Sequence, residues 1–153
     1  MLFHTWLDQA LEAHVPEPHV MTVSTVDADG VPDARVQVLK DLDERGWAFA
    51  SESTSRKGQQ LKSQPVAALS FWWQQISRAV RVRGEVGEAA REDSLADLRA
   101  RSPAAQQSVE PADWTLWRVV PKRVEFWQGS PDRNHRRIIY TRDGDAWQSQ
   151  RDY

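Results

Sequence analysis

The sequence predicts a mainly β protein with α additions, a small β-barrel carrying a few helices. Three observations predict it. Short segments rich in β-branched and aromatic residues recur along the chain, and several alternate apolar with polar side chains, the period of a strand. Turn sequences such as Asp27-Ala28-Asp29-Gly30 and Asp143-Gly144 separate them at hairpin spacing. The chain has 153 residues, 40% of them hydrophobic, with no internal repeat or linker, so residues 1–153 are expected to form one domain with a core.

The elements follow in order. Leu2, Phe3, Trp6, Leu7, Ala10 and Leu11 fall at helical spacing over residues 2–14, an amphipathic opening helix that Pro16 and Pro18 break. His19 to Val26 alternates as a strand, and Asp33 to Lys40 pairs with it across the Asp27–Gly30 turn. Asp43-Glu44-Arg45-Gly46 turns into a third strand, Trp47 to Ser51. Ser55 to Ser63 reads as a short helix capped by Ser55. Pro65 opens a strand through Trp73. Ser77 to Glu88 is the next, with Val80, Val82 and Val86 on one side and Arg81, Arg83 and Glu85 on the other. Glu92 to Arg101 reads as helix, and Ser102 to Asp113, with Pro103 and Pro111, as loop. Trp117 to Trp127 is a strand interrupted at Pro121, and Arg136 to Thr141 with Ala146 to Arg151 forms the closing hairpin.

Composition removes several classes of function. A formal charge of −2 gives no basis for a nucleic-acid surface. Without cysteine there are no disulfides and no thiolate metal sites, which suits a reducing compartment. His4, His14 and His19 lack ligand-like spacing with acids, so no metal site is expected. The N-terminus lacks a basic segment followed by an apolar run, and no apolar stretch approaches the roughly 20 residues of a membrane span. A cytoplasmic protein acting on a small molecule is the expectation. Glycine-rich phosphate loops and Gly-x-Ser-x-Gly nucleophile motifs are absent. Eight tryptophans are many for this length; in strands their rings can pack against a core, a ligand or a partner subunit.

Three stretches carry candidate chemistry. Phe126-Trp127-Gln128-Gly129 runs into Ser130-Pro131-Asp132-Arg133-Asn134-His135-Arg136-Arg137. On an extended backbone Arg133, His135 and Arg137 would share a face beside Trp127, a surface suited to a planar anionic ligand. In Arg35-Val36-Gln37-Val38-Leu39-Lys40, Arg35, Gln37 and Leu39 face one way and Val36, Val38 and Lys40 the other; alone, this is also an ordinary barrel strand with solvated ends. Ser53-Thr54-Ser55-Arg56-Lys57-Gly58 gathers hydroxyls, backbone N–H groups and two cations at a helix start. That is a natural phosphate site, and equally a capped, solvated terminus.

Taken together, in this order and approximate spacing, the stretches resemble the pyridoxamine 5'-phosphate oxidases. Asp43-Glu44-Arg45-Gly46 and Asp143-Gly144-Asp145-Ala146-Trp147 match as well, and the resemblance runs from about Val20 onward. It implies a split β-barrel homodimer with FMN in clefts at the subunit interface. It further implies hydride transfer from pyridoxine or pyridoxamine 5'-phosphate to flavin and on to oxygen, giving pyridoxal 5'-phosphate and hydrogen peroxide. Carried over by position, Arg35, Val36, Gln37, Val38, Leu39 and Lys40 would line the flavin, with Arg35, Arg56 and Lys57 on its phosphate and Ser51 in the same pocket. Trp127 and Arg137 would contact flavin from the C-terminal segment, and Gln107-Ser108 would stand for a family Gln-Ser flavin pair. Lys40, Arg133 and His135 would face substrate, the last two as catalytic residues.

The chain departs from the family pattern at two places. Ala79 stands where the family has a glutamine at the flavin. The helix that supplies a tyrosine and an arginine for the substrate phosphate reads Leu98-Arg99-Ala100-Arg101-Ser102-Pro103 here, with no tyrosine, Arg101 aligning only with a shift, and a shorter segment after it. The flavin half is thus better preserved than the substrate-phosphate half. Two alternatives stay open: the same fold acting on another small planar substrate, or a non-catalytic binder of flavin or vitamin B6 phosphate.

Overall fold

The structure is a computed structural model and describes residues 1–152. Helix α1 (Leu2–Glu12) fully buries Phe3 and Ala10, which share one helical face. Strands β1 (Val20–Val26) and β2 (Pro32–Val38) form the first hairpin, and β3 (Asp41–Asp43) and β4 (Gly46–Glu52) the second. Helix α2 (Arg56–Ser63) leads to β5 (Val66–Trp73), and a 3-10 turn (Gln74–Ile76) to β6 (Arg78–Glu88). Helices α3 (Arg91–Arg99) and α4 (Pro103–Gln107) precede the long β7 (Trp114–Gln128), and β8 (Arg136–Asp143) and β9 (Ala146–Asp152) close the chain.

All strand neighbours are antiparallel, in the order β2-β1-β5-β6-β7-β4-β3. One edge of β7 pairs with β6 along its length. The other edge pairs with β4 through Trp114–Val119 and with β8 through Arg123–Gln128. The sheet therefore divides at Pro121, whose missing N–H cannot serve a ladder. The β6–β7 register shifts there, between Arg83 and Gly84, and a Cβ on Gly84 would run into the Val120 carbonyl, so only glycine fits. The sheet curls until the Lys40 N–H donates to the Ala48 carbonyl at 2.8 Å, bringing the end of β2 to β4. This is the split form of the barrel expected from the sequence.

Inside the curl, Phe3 packs on Trp47 (ring centroids 4.6 Å) and Phe71 (5.0 Å), so α1 plugs the barrel with aromatic side chains. Trp73 donates its indole N–H to the Pro18 carbonyl at 2.9 Å, which satisfies a buried polar atom and pins the segment entering β1.

Several sequence boundaries are corrected. The segment 102–113 is not all loop: Ser102 accepts the Ala105 N–H at 3.3 Å and caps α4. The strand expected from Trp117 begins at Trp114, and β3 was not foreseen, because three residues are too few for a periodic signal. No helix among the described residues is long and apolar enough to cross a membrane.

Candidate cofactor and substrate site

Two clusters of the expected residues form, one between β2, β4 and the start of α2, the other where β7 ends and the chain turns into β8. The first lines a crevice of about 560 Å³ with Val36, Gln37, Val38, Lys40, Ser51 and Lys57. Val36 is 66% exposed and Val38 46%, while Leu39 points into the core. The strand therefore turns two valines outward, toward the crevice.

Arg35 points the other way. Its guanidinium donates to Thr25 Oγ1 (2.6 Å), the Val23 carbonyl (3.2 Å) and Gln60 Oε1 (3.2 Å), and pairs with Asp33 at 3.1 Å. Thr25 also donates to Gln60, so Arg35 ties β1, β2 and α2 together. Half-buried Lys57 lies near enough to feel Arg35. Burial lowers its pKa, Arg35 repulsion lowers it further, and Glu52 opposes. Lys57, in the first turn of α2 and bordering the crevice, with Arg35 adding positive potential from β2, could hold an anion such as the phosphate of FMN. Ser55 caps that helix, its hydroxyl accepting the Gly58 N–H at 3.2 Å. A Cβ on Gly58 would run into the Ser53 carbonyl, so glycine allows the tight entry.

Other expected residues scatter. Buried Ser51 accepts the Trp117 indole N–H at 3.0 Å and borders the crevice. Ser108 borders it too, but exposed Gln107 does not. Arg56 is separated from Lys57: it lines another groove with Asp27 and Gln60. Sequence reasoning missed Trp114 and Asp97, and matched Arg101 only with a shift. Arg101 borders the crevice with its guanidinium 4.3 Å from the centre of the Trp114 ring. Trp114 Nε1 donates to Asp97 Oδ2 at 2.9 Å, and Asp97 Oδ1 lies 3.8 Å from Lys40 Nζ. The one available signal was the cation-rich end of that helix, Arg99-Ala100-Arg101.

The second cluster corrects the alternating-face expectation. Only Arg137 lies in a strand. Arg133 has φ +65°, in a turn, and His135 precedes β8. The turn is built on Asp132, whose carboxylate accepts from Ser130 Oγ (2.5 Å), the Asn134 N–H (3.0 Å) and Asn134 Nδ2 (3.0 Å). These bonds, the Ser130 hydroxyl foremost, hold the Asp132 pKa down at about 2. His135 Nδ1 accepts the Ser130 N–H at 3.1 Å, which leaves Nε2 to carry the proton. Its ring lies 4.9 Å from that of Trp127.

Arg137 donates from Nε to Glu125 Oε1 at 3.2 Å and from Nη1 to Asp152 at 3.3 Å. Glu125 is 3% exposed and also accepts from Arg81 (2.6 Å) and Arg123 (2.7 Å). Burial pushes the Glu125 pKa up, but the bonds from Arg81 and Arg123 outweigh it and leave the carboxyl below its ordinary value. A crevice of about 730 Å³ beside this turn is lined by Gln128, Gly129, Ser130, Asp132, Asn134 and Arg136. No residue lines both this crevice and the first.

A sequence model described as pyridoxamine 5'-phosphate oxidase matches residues 7–128. A second, the pyridoxine 5'-phosphate oxidase C-terminal dimerisation region, matches residues 114–152. The pyridoxine/pyridoxamine 5'-phosphate oxidase of Thermosynechococcus vestitus is 39% identical, over 99% of this chain and 86% of that protein. That of Bordetella petrii is 41% identical, over 93% and 82%. Among solved structures, PhzG from Burkholderia lata, in complex with tetrahydrophenazine-1-carboxylic acid, matches with a TM-score of 0.91 at 26% identity, over 98% of this chain and 89% of that one. An FMN-binding, pyridoxamine 5'-phosphate oxidase-related protein from Nostoc punctiforme shares the fold, with a TM-score of 0.79 at 18% identity over 97% and 96%. The split sheet and the matches spanning residues 7–152 together show that this chain belongs to the pyridoxamine 5'-phosphate oxidase family of FMN-binding oxidoreductases.

Proposed function

We propose that this chain is a homodimeric, FMN-dependent oxidase of pyridoxine or pyridoxamine 5'-phosphate, working as one FMN-binding split-barrel domain over residues 1–153. The observation that carries the reading is the Asp132-locked turn. It carries exposed Arg133, whose side chain has no hydrogen-bond or ion-pair partner among the described residues, two positions before His135, whose ring lies against Trp127 with Nε2 left to donate. A cation, a hydrogen-bond donor and a flat wall suit an anionic heteroaromatic ring.

Bound FMN would supply the hydride acceptor. Lys57, the Ser55 hydroxyl and the first N–H groups of α2 would hold its phosphate, and Arg35 would add positive potential from behind. Val36 and Val38 would exclude water from one side of the ring, and Trp127 would wall another. Arg137, aimed by Glu125, would donate to the ring edge. Lys40 would reach the substrate, and Arg133 and His135 would hold it. Overall, pyridoxine 5'-phosphate gives up two electrons and two protons, and oxygen leaves as hydrogen peroxide. The two crevices have no lining residue in common, and the match of residues 114–152 to a dimerisation region supports a site completed by a second subunit.

A second reading keeps FMN and changes the substrate to another planar compound. It is favoured by Ala79, by the absence of a tyrosine in residues 98–103, and by the likeness to PhzG. The test is an absorbance spectrum after FMN addition and desalting, followed by pyridoxine 5'-phosphate without oxygen. Retained flavin that bleaches supports the first reading. Flavin that stays yellow with pyridoxine 5'-phosphate but bleaches with tetrahydrophenazine-1-carboxylic acid supports the second. Flavin that neither bleaches leaves a non-catalytic flavin binder, and loss of flavin overturns every flavin-dependent reading.

A further inference from the structure

We infer that Trp72 is a flavin-contacting residue of this chain, its indole covering ring surface that the short side chain of Ala79 leaves open. The inference rests on the FMN reading above and extends it to a residue outside the motifs.

The register carries it. Trp72 pairs with Ala79 across β5 and β6, Ala79 with Trp127 across β6 and β7, and Trp127 with Arg137 across β7 and β8. Directly paired residues point to the same face of a sheet. Trp72, Ala79, Trp127 and Arg137 thus form one straight row across four adjacent strands. Three of the four occupy positions assigned to the flavin, and Trp72 is the next residue on the line.

The local surface agrees. Along β5, burial alternates, and the other outward residues are Val66, Ala68 and Ser70, all smaller. Trp72 stands above them, 55% exposed, while its neighbours Phe71 and Trp73 are in the core. Strands lie about 4.8 Å apart, so the Trp72 and Trp127 backbones are separated by about 10 Å with Ala79 between. Their ring centroids are only 6.2 Å apart, with planes at 49°. The two indoles therefore lean toward each other over Ala79. A longer side chain at 79 would occupy the space they share. Two large rings beside a cluster of guanidiniums make a surface for a wide, flat, electron-poor ring, and a flavin is such a ring.

The experiment is equilibrium dialysis of FMN against wild type, Trp72→Ala and Trp72→Phe, with the solution mass and the fluorescence of bound flavin recorded for each. Trp72→Ala is expected to fold, since the side chain is outside the core. It should weaken FMN binding about tenfold and brighten the bound flavin, which a touching indole quenches, and Trp72→Phe should recover most of the affinity. The mass should not change. FMN affinity within twofold of wild type in Trp72→Ala overturns the inference and leaves the FMN reading intact. A drop in mass to the monomer with unchanged flavin brightness also overturns it, since Trp72 then serves the subunit contact. Failure of wild type to bind FMN overturns both.

Discussion

The imidazole of His135 lies against the indole of Trp127, ring centroids 4.9 Å apart, and its Nδ1 accepts the Ser130 N–H. The two contacts fix the ring plane and the tautomer, so the proton on Nε2 points away from the turn. If that proton holds the substrate, His135→Ala lowers turnover of pyridoxine 5'-phosphate about tenfold or more, the loss of one hydrogen bond. His135→Asn recovers part of it, and bound flavin per subunit is unchanged. Peroxide release with a flavin count checks this; unchanged turnover removes His135 from the substrate.

Asp132 is the base of the turn that carries Arg133 and His135. Asp132→Ala releases three hydrogen bonds and the left-handed backbone of Arg133, and is expected to raise KM for the phosphorylated substrate while leaving FMN affinity alone. The pH dependence has a definite sign. The Asp132 carboxyl is depressed from 3.8 to about 2, so its support of the turn is fully present above 3.8 and lost as pH falls through about 2. Amide shifts of Ser130 and Asn134 should titrate near 2 in NMR spectra. Titration near 4 would dissolve the argument.

Glu125 joins β6, β7 and β8 by accepting from Arg81, Arg123 and Arg137. Glu125→Gln keeps the shape and removes the charge. Because Arg81 is largely exposed, we expect a loss of only about 1–3 kcal/mol in urea unfolding at neutral pH. FMN affinity should fall as well, as Arg137 loses its anchor. Glu125 has a folded pKa below 4.5, so its contribution is present above 4.5 and disappears as pH falls through the lower folded value. Wild type and Glu125→Gln should therefore converge in stability in acid. A difference that persists there assigns the effect to packing.

The legible parts of the molecule were those with a local signal. The apolar run from Pro65 through Trp73 placed β5, the alternating valines placed the inward face of β6, and the turn at Asp143-Gly144 placed the last hairpin. What a sequence pattern does not encode is the direction of a long side chain. Arg35 and Lys57 were both expected at one phosphate, yet Arg35 turns back to donate to Thr25 and Gln60, which are bonded to each other, and to pair with Asp33. The alternation of Arg133, His135 and Arg137 presumed an extended backbone that Asp132 curls into a turn. Arg101, Trp114 and Asp97 meet through contacts between a helix end and a distant strand, which no spacing announces.

The separation of Arg56 from Lys57 gives the last prediction. The two lie in different grooves, so they should not contribute equally to phosphate binding. Lys57→Ala should weaken FMN binding by about 2–3 kcal/mol, one charge-assisted contact in a half-buried site, and Arg56→Ala by under about 1 kcal/mol. Burial and Arg35 lower the Lys57 pKa from 10.5, so the unfolded chain holds that proton more firmly than the folded apoprotein. Apoprotein stability should accordingly rise with pH between the lowered value and 10.5. A bound phosphate reverses the preference, because it favours the charged amine. FMN affinity of wild type should then decline as alkaline pH is approached, with proton uptake on binding, while Lys57→Arg binds without that decline since a guanidinium keeps its charge. Calorimetry in two buffers of different ionisation enthalpy measures the proton uptake. The same uptake in Lys57→Ala would move the effect to another group.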